Sequence, residues 1–245
     1  MARRSHLPII HLVSSVIIIG CSSSTSTTAE TTAETIPYLA IPGFANCDPP
    51  HDLGCAGANL DSVSLSYANL SNANLSNANL SNANLRGANL HNANLGNANL
   101  TFADLAGGYG DANFTGADLS NADLSHSAFR NFAGANLKKA MLFQSDLVDA
   151  NLNSADLSYA DLSWANVTFA SLINANLTGA NLTGANLTGT TLHGANMTGT
   201  ILKGVISANL SGLDLSGLDL SGAINIRLEG AILTGTTMPD GTIHD

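Results

Sequence analysis

The sequence predicts an all-β solenoid, and three observations carry that prediction. A five-residue phrase recurs from residue 58 to residue 240; each phrase holds two apolar residues two positions apart; and Asn or Gly fills the place where the chain has to turn. A period of five matches neither the 3.6 of an amphipathic helix nor the 2 of a long alternating strand. On a short extended segment, however, residues two apart point to the same side. Ala and Leu of a phrase such as Ala73-Asn74-Leu75-Ser76-Asn77 then face inward, while the polar residues face outward or turn a corner. Asn and Gly suit corners because they tolerate left-handed backbone. One phrase cannot bury a Leu by itself, but stacked phrases share a continuous core.

The purest copies run from Ala73, Ala78 and Ala83, and later copies drift to Ala-Asn-Leu-Thr-Gly at residues 175–179, 180–184 and 185–189. This Ala-(Asp/Asn)-Leu-x-x pattern resembles the pentapeptide-repeat proteins, over about thirty-four phrases and roughly three quarters of the chain. The resemblance implies a right-handed quadrilateral β-helix with four phrases per coil. Inward residues then include Leu75, Leu80, Leu85, Leu90, Phe114, Phe129, Leu152, Leu157 and Leu187, and Ser158 reads as outward. About nine coils at the ~4.8 Å spacing of paired strands would make a rod roughly 45 Å long.

The phrases run in register from Leu60 to Leu105 and are then interrupted near Gly107-Gly108-Tyr109-Gly110, Phe132-Ala133-Gly134, Val205-Ile206-Ser207 and Asn225-Ile226. These interruptions read as three or four extra residues forming small bulges or loops at corners. Leu213 and Leu218 stand where the small inward Ala is usual. The pattern stops at Met238-Pro239-Asp240-Gly241, leaving residues 241–245 as a tail. The last coil is therefore capped minimally or by another chain, and an uncapped end could pair two copies.

Residues 1–20 read as an address. Arg3 and Arg4 precede an apolar run from Leu7 to Ile19, too short to span a bilayer, in the layout of a secretory signal peptide. Its end, Ile18-Ile19-Gly20-Cys21, resembles the lipobox of bacterial lipoproteins, which implies that Cys21 becomes the lipid-modified first residue. Ser22 after it resembles the outer-membrane sorting preference of two-membrane bacteria. Residues 21–36, Ser/Thr-rich with almost no apolar bulk, form a flexible tether. Residues 37–57, with Pro and several apolar residues, are placed to cap the first coil. Cys47 and Cys55 are the cysteines remaining in an exported chain, so a disulfide between them is the preferred reading. A metal site through His51 is the alternative, although Pro49 and Pro50 break any helix that would align the three.

Eighteen acidic residues face eight basic ones, and loss of residues 1–20 removes two of the basic ones. Such a surface is repelled by phosphate backbones, which argues against direct nucleic-acid binding. The one local basic cluster in the sequence is Arg130, Lys138 and Lys139. No phosphate-cradling glycine loop, His-Glu zinc motif or Gly-x-Ser-x-Gly elbow occurs. An enzyme is not expected, and no cofactor or metal is assigned. Tyr159, Trp164 and Phe169 occupy one outward position in three consecutive phrases and form a candidate contact belt. The expected function is a lipid-anchored envelope scaffold contacting an unknown envelope protein. The alternative that the family resemblance implies is a DNA-mimicking protector of DNA gyrase.

Overall fold

A computed structural model describes residues 55–245. Each phrase contributes one bridged residue, and the bridges are parallel: Asn59 with Asn79, Ser64 with Asn84, Asn69 with Asn89, Asn74 with Asn94. Those four pairs begin four columns along the rod, here faces 1 to 4. The chain is thus an all-β solenoid, its ladder built from single bridged residues rather than from long strands.

Local chemistry explains each position of the phrase. Leu80 N–H donates to the Asn99 carbonyl one coil on (2.7 Å), and Asn79 N–H donates to the Ala58 carbonyl one coil back (2.8 Å). Between phrases, Ala83 N–H donates to the Leu80 carbonyl (3.1 Å), closing a turn in which Asn82 has φ +56°. Positive φ at the second central residue marks a type II turn and selects Gly or Asn. The outward Asn or Asp caps the same turn. Asp214 Oδ1, for example, accepts from Ser216 N–H (3.0 Å) and from its hydroxyl (2.7 Å). The Ser216 hydroxyl and then its N–H hold the Asp214 carboxyl below the usual range.

The core is the expected one: all nine inward residues named above are buried, as is nearly every Ala preceding them. Burying one Leu in this way is worth about 1.5–3 kcal/mol. Ser158, expected outward, is instead covered at 5% exposure.

The interruptions are not insertions. Successive bridged residues normally lie five apart, but Tyr109 and Asn113 lie four apart, and Ala128 and Asn131, Ile206 and Asn209, and Ile224 and Arg227 lie three apart. Residues are missing there, and all four shortened phrases fall at the corner between faces 3 and 4. The spacing of nine from Leu105 to Phe114 can be read as an extra four or as a missing one. Only the pairing across coils decides between them.

Shortening is compensated in the core. Gly110 takes the place that Leu70 and Leu90 hold in the preceding coils, and a Cβ there would sit 2.5 Å from His91 N and 2.7 Å from Leu90 C. Phe129 fills the space beside Gly108, whose Cβ would lie 2.8 Å from Phe129 Cζ. Phe114 stacks on Phe132 with centroids 5.2 Å apart and meets Phe129 edge-on at 5.1 Å. The buried Ser127 hydroxyl beside this cluster has no hydrogen-bond partner.

The tail is part of the fold. Ile243 pairs antiparallel with Thr237, and Met238 N–H donates to the Thr242 carbonyl (2.6 Å), so residues 241–245 fold back over face 2. The C-terminal cap is minimal and comes from the chain itself. Cys55 opens the described residues and is buried in the core; Cys21, Cys47 and His51 lie outside them.

These contacts set two opposite expectations. Gly110→Ala forces a Cβ into backbone atoms and should cost several kcal/mol, lowering the melting temperature markedly. Ser127→Ala removes an unpaired buried hydroxyl and should be neutral or slightly stabilising. Thermal or urea unfolding of the two variants checks both, and a Gly110→Ala protein as stable as wild type would mean that the corner is not built as described.

Candidate interaction surfaces

The aromatic residues stand on three successive corners of one coil and do not form a single patch. Tyr159, Trp164 and Phe169 are each about 60% exposed, with φ near +60°. That conformation is costly for a bulky side chain. What holds them is the next coil. A Cβ on Gly179 would meet Tyr159 Cδ1 at 2.7 Å, one on Gly184 would meet Trp164 Cε3 at 2.7 Å, and one on Gly189 would meet Phe169 Cδ1 at 2.3 Å. Each ring therefore lies over the bare backbone of the glycine twenty residues later, one face packed and the other turned to solvent. Tyr67 over Gly87 repeats the arrangement, its Cδ1 2.6 Å from a Cβ placed there.

The basic cluster is dispersed by the fold. Arg130 sits at the corner between faces 3 and 4, where Nη1 donates to the Asp146 carbonyl (2.7 Å) and Nη2 pairs with its carboxylate (3.2 Å). Lys139 turns the corner between faces 1 and 2 instead, with φ +58°. The histidines at variable positions are likewise separate: His91 pairs with Asp111 (2.7 Å), and His126 packs edge-on against Phe143 (5.6 Å).

Charge is distributed unevenly around the rod. The outward positions of face 1 carry Asp118, Asp156 and Asp214; face 2 carries Asp104, Asp123, Asp161 and Asp219; face 3 carries Asp146. Face 4 has no acid at these positions. From Asn74 to Asn151 it is a column of amides, in which Asn131 Nδ2 donates to Asn113 Oδ1 (3.0 Å) and Asn113 Nδ2 to Asn94 Oδ1 (3.2 Å). Ser171, Thr191 and Asn209 continue it, and Arg227 ends it.

Face 4 also holds a breach in the ladder. Among the described residues, bridges join Asn186 to Ile206 and Ile206 to Ile224, but none joins Thr191 to Asn209, Asn196 to Asp214 or Ile201 to Asp219. The N–H groups of Leu192, Met197 and Leu202 make no backbone hydrogen bond, whereas Leu172 N–H donates to the Thr191 carbonyl (2.8 Å) and Leu177 N–H to that of Asn196 (2.8 Å) one coil earlier. The coils rejoin at Gly204, which donates to the Ser221 carbonyl (2.9 Å). Between them opens a cleft of about 1040 Å³, with Leu192, His193 and Gly194 on one lip, Asn209 and Ser211 on the other, and Ala195 and Leu213 partly buried within. Leu213 lies opposite Ala195, and Leu218 opposite Thr200, at positions where most coils carry Ala. Bulk at a position built for a methyl group disfavours close stacking, and here the coils part on the side of Ala195 and Thr200 while Asp214 and Asp219 stay bridged to Ile232 and Thr237 ahead. The sequence signal was the pair Leu213 and Leu218; its consequence for stacking was not legible before the coils were placed.

Comparison with known proteins agrees with this architecture. The family model for pentapeptide repeats matches in 8 copies, over residues 55–92, 83–108, 110–132, 131–168 and 168–204. Among solved structures, the chain is 31% identical to HetL, a pentapeptide repeat protein involved in heterocyst differentiation regulation in the cyanobacterium Nostoc; the match covers 75% of this chain and 92% of HetL, with a TM-score of 0.38. It is 34% identical to a pentapeptide repeat protein of the Arabidopsis thaliana thylakoid lumen, over 49% of this chain and 68% of that one, with a TM-score of 0.29. It is 19% identical to QnrB1, a plasmid-mediated fluoroquinolone resistance protein, over 59% and 84%, with a TM-score of 0.38. No curated protein sequence matches the chain.

The ring-over-glycine contact is testable by a double-mutant cycle. Gly184→Ala combines left-handed strain with a clash against Trp164, and should cost about 1–3 kcal/mol. In a Trp164→Gly background only the strain remains, so the cost should fall by at least about half. Equal costs in the two backgrounds, read from urea unfolding, would mean that the ring does not rest on the glycine. From the phrase, its repeated bridges and the family match together, the chain belongs to the pentapeptide-repeat family.

Proposed function

We propose that this protein is a non-enzymatic, lipid-anchored scaffold of the bacterial envelope, in which a right-handed quadrilateral rod of about nine coils presents interaction surfaces to another envelope protein. The observation that carries the reading is the order of segments: the apolar run ending at Ile18-Ile19-Gly20-Cys21, the Ser/Thr-rich stretch to residue 36, then the repeats. A lipid on Cys21 and a tether behind it would let the rod stand off the membrane, in the outer membrane where the cell has two. In an oxidising compartment a Cys47–Cys55 disulfide would close the segment before the first coil. The aromatic corners at Tyr159, Trp164 and Phe169 support recognition, since each keeps one ring face free on a wall of small polar residues. At the opposite end, the edge left open beside the fold-back, with Ile224 and Ile232 exposed, is where two copies would pair.

The gyrase-protector reading rests on acidity, and the outward column of one face carries no acid and ends in Arg227. The likeness to QnrB1, at 19% identity, concerns the fold alone.

Fatty-acid labelling of cells tests the anchor. Wild-type protein should take up label and fractionate with membranes, whereas Cys21→Ser should accumulate as unprocessed, unlabelled precursor. Normal membrane fractionation of Cys21→Ser would count against the anchor. In-cell crosslinking tests the corners: a Tyr159→Ser/Trp164→Ser/Phe169→Ser protein that still folds should lose partners that wild type retains. Recovery of the same partners in the same amounts would make the rings a packing feature only.

A further inference from the structure

We infer that the breach between the coil of residues 187–206 and the coil that follows it is a binding slot for an uncharged, extended polypeptide strand of a partner, received by backbone pairing across face 4 and the corner to face 1. The inference rests on reading the rod as an interaction module and not on its anchoring, so the outcome of Cys21 labelling leaves it untouched.

Three features of the slot specify the occupant. The first is its lips. In an intact coil, the inward Leu donates its N–H forward and the outward residue donates its N–H back to the coil behind, as in Leu172 N–H to the Thr191 carbonyl (2.8 Å) and Asn176 N–H to the Ala155 carbonyl (2.9 Å). At the breach both halves of that pattern are open. Leu192, Gly194 and Met197 have N–H groups with no backbone acceptor, and Asn209 and Asp214 have N–H groups with no backbone acceptor behind them. Donors and acceptors spaced as in a β-ladder on both sides of a gap are complementary to extended main chain.

The second is its floor. Ala195 and Leu213 are only partly buried there, although their equivalents elsewhere, such as Ala155 and Ala175, are covered. A strand seated in the slot would bring a small apolar side chain onto them. The third is its surroundings. The slot lies on the one face whose outward column carries no acid through eight coils; Thr191, His193, Asn209 and Ser211 border it, and its two charged lining residues, Asp214 and Arg227, are opposite in sign. With one carboxylate and one guanidinium the lining has no net charge to balance a charged segment, which would lose hydration on entering, so the occupant is neutral. The wedge that opens the slot is built in: Leu213 and Leu218 hold apart two coils that Ala would let close.

Amide hydrogen exchange of the full chain, followed by NMR, tests the slot with a defined probe. The probe is the acetylated octapeptide Ala-Asn-Leu-Ser-Asn-Ala-Asn-Leu, which copies residues 73–80, the uncharged run from face 4 to face 1. In free protein the amides of Leu192, Gly194 and Met197 should exchange at least about a hundredfold faster than those of Leu172, Asn174 and Leu177. Millimolar probe should slow the first three by at least about tenfold. The same peptide N-methylated at its Asn and Leu amides should not, because it cannot complete the ladder. Leu213→Ala/Leu218→Ala should protect the three amides without any peptide, by letting the coils meet. Equal protection of the two sets in free protein would overturn the inference, as would indifference to the unmethylated probe, or equal protection by the methylated one. These readings need no variant and stand even if the double variant fails to fold.

Discussion

The structure depends on one hydrogen bond repeated from coil to coil outside the breach, that from the inward Leu N–H to the carbonyl of the outward residue in the next coil. Leu75 to Asn94, Leu95 to Asn113 and Leu137 to Asp156 are instances at 2.7–2.8 Å. Because the bond is between backbone atoms, it fixes neither side chain; because it joins residues about twenty apart, it fixes everything else. It decides which Leu stacks on which, so one apolar column per face runs down the core. It also places each outward Asn over another, so that Asn79 Nδ2 reaches Asn59 Oδ1 at 2.8 Å. Where Asp replaces Asn the column keeps its acceptor and loses a donor. Asp104 and Asp123 are then neighbours of like charge on face 2, and Arg86 pairs with the former at 2.9 Å.

The corner is the second constraint, and it is stricter than the composition suggests. Every regular corner residue adopts φ near +60°, whether Gly, Asn, Ser, Lys, His or Trp. For the non-glycine residues this costs free energy that the ladder on both sides must offset. Of the five Tyr, Trp and Phe residues at these corners, four have help, Phe102 being the exception. At Tyr67, Tyr159, Trp164 and Phe169 the neighbouring coil provides glycine, and the ring gains a packed face. Two residues twenty apart are therefore chosen together, although nothing in either phrase taken singly says so.

That distinction explains what could be read from the sequence and what could not. Properties confined to one phrase were legible: the inward Ala and Leu, the turning Asn or Gly, the solenoid class. Properties set by the neighbouring coil were not. Ser158 has the composition of a surface position yet is covered at 5% exposure. Arg130 and Lys139 are near in sequence and stand at different corners. The interruptions looked like additions because a missing residue and an added phrase fragment leave the same text. The ladder shows instead that the chain cut one corner four times, in adjoining coils near the middle and again near the C-terminal end.

Cutting a corner and wedging a face have opposite consequences for the same ladder. At Gly110 the chain is short, but glycine lets the backbone approach the preceding coil, and Phe114, Phe129 and Phe132 fill what the missing Leu would have filled; pairing survives on all four faces. At Leu213 and Leu218 the coil carries two side chains too large for their places, and no glycine or deletion opposite them makes room. The backbone separates, and the cost falls on faces 4, 1 and 2, while face 3 stays bridged through Ile206 and Ile224. Compensation is thus local: small opposite large keeps the ladder at the shortened corner, whereas at Leu213 and Leu218 the ladder opens toward the coil behind and stays closed ahead, where Asp214 pairs with Ile232 and Asp219 with Thr237. A solenoid of near-identical phrases acquires distinct places along its length by this means, without any loop leaving the rod.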